Sequence, residues 1–220
     1  AGAVFSSQMD WERPWWFNPK GISTHPELSF EKPGWFLLHA QEHEAARKNV
    51  VLIDQSTFGK LIVKGRDSEK FLQRVCANDI SSAHDKVVYT PMLNAHGGYE
   101  SDLTIMGLDD DRFLLITGTG QPVRDYNWIC SKIKPEELVS VTDITGDYAV
   151  ISVAGPNSRK LLSLASPDNF SNEEFSYFTH RNGKIGPAIV RAARLSYTGE
   201  LGWELYVPNE SAIPVFDTLN

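Results

Sequence analysis

Apolar and polar positions in this chain are organised in short runs separated by polar clusters, glycine and proline. Residues 50–54, 60–64, 86–94, 99–108, 112–117, 138–142, 148–154, 187–196 and 203–207 read as strands, from a period of two or from a short apolar run. In 99–108, for instance, Leu103 and Ile105 alternate with Asp102 and Thr104. Other stretches carry helical spacing. Residues 34–49 place Phe36, Leu37, His39, Ala40, His43 and Ala46 three or four apart, and 122–133 forms a second such stretch. Asp67 reads as the N-cap of a helix running through Cys76, Pro156 opens a helix to Leu164, and a last helix starts at Glu210. Strand pairs and single helices mix without strict βα alternation, which predicts an α+β fold.

Two glycine turns join strand pairs. Gly97-Gly98 links 86–94 to 99–108. The segment Arg194-Leu-Ser-Tyr-Thr-Gly-Glu-Leu-Gly-Trp-Glu204 reads as an amphipathic strand, a tight Thr198-Gly199 turn, then a strand through Trp203, Leu205 and Val207. Residues 1–33 differ from the rest. They hold six aromatics and four prolines with no clear periodicity, and predict an irregular arm laid over another surface. Residues 34–220 then form the domain proper, in which no internal repeat or low-complexity segment occurs.

Composition changes this picture in few respects. A chain of 220 residues can bury a full core as one large domain or two small ones. The formal net charge of −7, with no basic stripe, argues against nucleic-acid binding, which needs lysine and arginine in excess. No apolar run approaches the roughly 20 residues of a membrane span. Cys76 and Cys130 fall in amphipathic helical stretches and read as buried free thiols of a reducing compartment.

Four features carry candidate chemistry. Glu204 sits between Trp203 and Leu205 in a segment that otherwise reads as buried, and a buried carboxylate is costly without a partner. A heterocycle with several N–H donors is such a partner; a surface hairpin with solvated acids is the plainer alternative. Asp102 stands just before the apolar run of Leu103 and Ile105, where a strand enters the core. His39-Ala-Gln-Glu-His43 matches a short zinc-ligand pattern, but without a third ligand it reads as a solvated helix face. Phe113-Leu-Leu-Ile-Thr-Gly118-Thr-Gly120 is strand, glycine pair and helix. Val123 replaces the third glycine of a dinucleotide loop, so a tight strand–helix connection is the better reading.

Taken together, Gly97 to Asp102 and Tyr197 to Glu204 resemble the glycine-cleavage T-protein (aminomethyltransferase) family, with its Gly-Gly-x-x-x-Asp followed by Tyr-Thr-Gly-Glu-x-Gly-x-Glu. Asp54-Gln-Ser-Thr-Phe-Gly59 resembles its early Asp-x-Ser-x-x-Gly strand entry, and Ala154-Gly-Pro156 its central Gly-Pro turn. Trp11-Glu-Arg-Pro-Trp-Trp-Phe17 resembles the segment before the folate domain of sarcosine and dimethylglycine dehydrogenases. Phe170 to Phe175 and Thr179-His180 are closest to the sarcosine type.

The resemblance implies a T-protein-like folate-binding domain of mixed antiparallel sheets with single helices around a central opening, C-terminally incomplete because an expected arginine would lie after Asn220. It implies an enzyme domain that binds tetrahydrofolate and captures an iminium carbon as 5,10-methylenetetrahydrofolate. FAD would belong to an upstream flavin domain of a longer oxidoreductase, joined through the arm at 1–33, in the mitochondrial matrix. Asp102 matches the catalytic carboxylate and Glu204 the carboxylate that grips the pterin. Tyr89, Tyr177, Tyr197, Phe58 and Phe178 match walls of the folate pocket, and no metal site is implied. The alternatives are a non-catalytic regulatory module of the same fold, like the pyruvate dehydrogenase phosphatase regulatory subunit, or a stand-alone aminomethyltransferase.

Overall fold

The computed structural model describes residues 2–18, 21 and 30–220. Part of the arm expected at 1–33 therefore lies outside the described residues. What is described there is not irregular. Strands β1 (Ala3–Gln8) and β2 (Trp11–Phe17) pair antiparallel as a hairpin, turning at Met9 and Asp10, both at positive φ. The turn carries no glycine, and Pro14 sits in a strand opposite a register shift between Val4 and Phe5, as proline in strands must. Those two departures hid the hairpin from pattern reading.

The chain continues through α1 (Phe36–Lys48), β3 (Val51–Asp54), β4 (Gly59–Lys64), α2 (Ser68–Val75), β5 (Val88–Leu93), β6 (Tyr99–Asp109), β7 (Arg112–Thr117) and α3 (Pro122–Ser131). It closes with β8 (Ser140–Asp143), β9 (Tyr148–Ala154), α4 (Ser158–Ala165), β10 (His180–Ile185), β11 (Ala188–Ala193), β12 (Gly202–Pro208) and α5 (Ala212–Leu219). Two five-stranded antiparallel sheets result, in the orders β10-β11-β12-β9-β3 and β5-β6-β7-β4-β8. The fold is α+β, as the mixed pattern predicts.

Three apolar layers hold it together. Leu61, Val63, Leu103, Ile105, Phe113 and Leu115 on one face of the second sheet pack against Phe71 and Leu72 of α2 and Ile129 of α3. Ile151, Val153, Trp203, Leu205 and Val207 on one face of the first sheet pack against Leu162 of α4 and Val215 of α5. The remaining layer joins the sheets: Met106, Leu114 and Ile116 meet Val150, Ala193 and Tyr206. Strand alternation explains the division. On each inner strand, odd and even positions serve different layers.

Several local expectations are corrected. Asp67 precedes α2, but its side chain makes no cap bond; Oδ2 instead accepts the Leu138 N–H at 3.0 Å. β10 was not expected, because its sequence, His-Arg-Asn-Gly-Lys-Ile, is too polar to read as a strand. Between β11 and β12 the chain makes no tight Thr198-Gly199 hairpin turn; residues 194–201 form a longer connection. Cys76 lies just past α2 and is buried, its thiol pushed up to about 12 by burial, while Cys130 on α3 is half-buried.

Candidate functional site

Glu204 is placed by β12. Trp203, Leu205 and Val207 fill the outer layer of the first sheet, so Glu204 and Tyr206 turn toward the second sheet. Tyr206 is buried and its hydroxyl donates to Glu204 Oε2 at 2.6 Å. Glu204 is 6% exposed and lies opposite Ser152 on β9 and Ala193 on β11. Burial pushes its carboxyl above the usual carboxylate range, against the opposing effect of the Tyr206 hydrogen bond. Burial, then the charge of Glu204, pushes the Tyr206 hydroxyl up as well. Four lone-pair positions on a carboxylate with one hydroxyl partner leave acceptor capacity.

Asp102 comes from the facing sheet. On β6 the buried side chains of Leu103 and Ile105 fill the outer layer, so Asp102, Thr104 and Met106 turn inward, with Met106 in the shared layer. Asp102 is half-buried at the rim, and its Oδ2 accepts the Tyr89 hydroxyl at 2.7 Å. The Tyr99 hydroxyl is 3.4 Å from that of Tyr89. Hydrogen bonding to Tyr99, then to Asp102, holds the Tyr89 hydroxyl well above the usual phenol range.

Phe58 and Phe178 both pack on the shared apolar layer, half-buried. Phe178 holds φ at 59°, a conformation that costs a bulky residue about 1–3 kcal/mol. Its carbonyl accepts the Val87 N–H and its N–H bonds to Arg194, each at 2.9 Å, so one residue links both halves. Tyr177 lies against it, ring centroids 4.9 Å apart. Tyr197 is the most exposed of the set. It is 92% exposed in the 194–201 connection, and the fold does not bring it into the layer. Of the residues expected from the sequence, Phe58 and Phe178 pack on the layer between the sheets and Glu204 bonds Tyr206 of that layer, while Asp102 is half-buried with Tyr89 as its partner, and Tyr89 and Tyr177 are themselves exposed.

Pattern reading missed four groups here. Tyr206 reads as another apolar position, although its spacing from Glu204 puts it on the same face. Lys60 is fully buried, donates to the Ser56 carbonyl at 2.7 Å, and is lowered to about 8 by burial against the opposing charges of Asp143 and Asp54. His180 is buried between the Ala83 carbonyl and Arg191. Asp125 on α3 is buried with two hydroxyl partners. Lys60 and Asp125 read as ordinary polar positions, and His180 as a titratable side chain to which the sequence assigns no role.

Other candidates resolve into structure. His39 Nε2 lies 3.1 Å from the Trp15 carbonyl and its ring 4.6 Å from Trp35, and among the described residues no cluster of His, Cys, Asp and Glu suits a metal. Cavities of about 530 and 330 Å³ run along β3, lined by Phe17, Leu52, Ile53 and Asp54, away from Asp102 and Glu204. Among the described residues no helix is long and apolar enough to cross a membrane.

Comparison with known proteins gives the family and supports the fold. Residues 1–220 match the GCVT N-terminal domain model. The chain is 38% identical over 99% of its length to 4-methylaminobutanoate oxidase (formaldehyde-forming) of Paenarthrobacter nicotinovorans, covering 26% of that protein. It is 35% identical over 95% of its length to rat mitochondrial dimethylglycine dehydrogenase, covering 24% of it, and 31% identical over 98% to human mitochondrial sarcosine dehydrogenase, covering 28%. The chain therefore spans about a quarter of the length of these relatives, and identities of 31–38% do not single out one amine. Among solved structures, glycine cleavage system aminomethyltransferase T from Bartonella henselae superposes with a TM-score of 0.79 at 22% identity, covering all of this chain and 54% of that one. The chain belongs to the GCVT N-terminal domain family, homologous to the sarcosine and dimethylglycine dehydrogenases and to the aminomethyltransferases.

Proposed function

We propose that this member of the GCVT N-terminal domain family binds tetrahydrofolate between its two sheets and captures the one-carbon unit of an iminium as 5,10-methylenetetrahydrofolate. The iminium would come from an N-methyl amine such as sarcosine or dimethylglycine, oxidised by a flavin domain of the same longer protein. The likeness to mitochondrial relatives supports a mitochondrial location, in which the matrix is the compartment proposed. One observation supports the reading above the others: two carboxylates, Asp102 and Glu204, project from facing sheets toward one shared layer, each held by a tyrosine hydroxyl.

The residues present fit such a ligand. Glu204 is a buried carboxylate with spare acceptor capacity and a raised pKa, which a planar heterocycle with adjacent N–H donors would satisfy. Phe58, Phe178 and Tyr177 provide apolar and aromatic walls. When bound, the reduced folate supplies the nucleophilic nitrogen, so the protein has none to create. Asp102 keeps Oδ2 on Tyr89, which leaves Oδ1 as the acceptor for a ligand. There the carboxylate offsets the positive charge of the iminium and accepts the proton that nitrogen loses.

Titration with tetrahydrofolate tests the reading. Saturable binding is expected, and Glu204→Gln should weaken it by roughly tenfold or more, because each charge-assisted bond contributes about 1.5–3 kcal/mol and about 1.4 kcal/mol is a decade. Absence of saturable binding by the folded wild type overturns the assignment.

A further inference from the structure

The first turn of α3 grips the back of the strand that presents Asp102. Asp125 is 1% exposed, and its Oδ2 accepts the hydroxyl of Ser101 at 2.7 Å and that of Thr117. One residue earlier, Arg124 donates to Glu100 Oε2 at 2.8 Å. Consecutive helix residues therefore hold consecutive strand residues, immediately before Asp102. Asp125 lies in the first turn of α3, where unpaired backbone N–H groups favour a negative charge. Gly59 allows the close approach, since a Cβ there would stand 2.6 Å from Thr117 Cγ2 and 2.7 Å from Pro122 Cγ.

A buried carboxylate held by neutral hydroxyls is a poor stabilising device, and an apolar side chain of similar size would attach α3 at less cost. What the arrangement adds is direction. Ser101 and Asp102 are neighbours on β6, so their side chains leave opposite faces of the sheet. Fixing the Ser101 hydroxyl behind the strand fixes the roll of the backbone, and so the angle at which Asp102 enters the layer between the sheets.

We propose that Asp125, acting through Ser101, is a positioning residue for Asp102 in the one-carbon transfer; this rests on the function proposed above. The placement is sensitive, because an error of about 1 Å in a reacting group can lower a rate by about 10²-fold.

Two substitutions separate positioning from stability. Ser101→Ala and Thr117→Val each delete one hydroxyl bond to the same carboxylate oxygen, but only Ser101 adjoins Asp102. Both are assayed for methylenetetrahydrofolate formation in the protein together with the part that generates the iminium. Ser101→Ala should lower kcat by about tenfold or more with the folate KM within about twofold. Thr117→Val should leave kcat within about twofold despite a comparable fall in Tm. Asp125→Asn, which keeps an acceptor oxygen, should retain most of the rate, and Asp125→Leu should not. If Asp125→Leu does not fold, the Ser101 and Thr117 pair still decides. Equal effects of that pair on kcat, or no effect of either, overturn the positioning role. Asp102→Asn is the reference: if it abolishes capture while the pair behaves alike, positioning alone fails. If it leaves capture at the wild-type rate, the functional reading fails and the positioning role with it.

Discussion

At the scale of single residues, the two carboxylates are held differently. Glu204 is enclosed, its charge disfavoured until a donor arrives, whereas Asp102 stays half-exposed with one oxygen on Tyr89. In the proposed function the first would serve recognition and the second chemistry. Asp102→Asn should therefore uncouple amine oxidation from capture. Oxidation should persist, the ratio of methylenetetrahydrofolate to free formaldehyde should fall, and the general-base contribution lost is about 10²–10⁴-fold. Both products are measured from one reaction; an unchanged ratio in a folded mutant would rule out the role. Glu204 stood out in the sequence because it breaks an apolar run, and Asp102 because it follows the Gly97-Gly98 turn and leads into one. Tyr206 and Asp125 were not: a tyrosine in an apolar run looks like core, and an aspartate early in a helix looks solvated. Their partners come from packing, which a linear pattern does not contain.

At the scale of elements, the sequence was legible where turn chemistry was explicit. Gly97-Gly98 marked β5 and β6, and Ala154-Gly-Pro156 marked the end of β9. It failed where the turn used Met9 and Asp10, and where β10 was polar on both faces. The marked glycines differ in what they protect. Gly155 has φ +126° and a Cβ there would meet the Asn49 carbonyl oxygen at 2.4 Å, a rigid backbone contact. Gly97 has φ +76° with nothing within 4 Å of such a Cβ. Gly97→Ala should thus cost only the left-handed backbone penalty of about 1–2 kcal/mol. Gly155→Ala adds a collision and should cost on the order of 3 kcal/mol or more. Urea midpoints at constant m-value would compare them. Equal losses would mean that the β9–α4 turn relaxes freely away from α1.

At the scale of the whole molecule, the question is what keeps two sheets registered across one apolar layer. Part of the answer is a latch at one end. Val87 N–H bonds to the Phe178 carbonyl, and His180 on β10 bonds the Ala83 carbonyl through Nε2 at 2.8 Å. Its Nδ1 lies 2.8 Å from Arg191 Nη1, which can only donate, so the ring is neutral with the proton on Nε2. Burial, and then Arg191 and His84, lower the His180 pKa against the Ala83 bond and Asp85, which raise it. A base whose folded pKa lies below its unfolded value binds fewer protons when folded. Its stabilising contribution is complete above about pH 6.5 and is lost as pH falls below that value. Glu204 runs the opposite way: its raised pKa gives a contribution present below about 4.5 and lost as pH rises through the folded value. His180→Gln separates the two, because glutamine can donate to Ala83 and accept from Arg191 without titrating. Between pH 7.5 and 5.5, wild type should lose stability relative to His180→Gln by up to about 1.4 kcal/mol, the limit for one proton over the single pH unit below 6.5. Denaturant unfolding of both proteins at the two pH values measures the difference. Parallel losses would remove the histidine's titration from the latch and leave the registration of the two sheets to the Val87–Phe178 bond and the apolar layer.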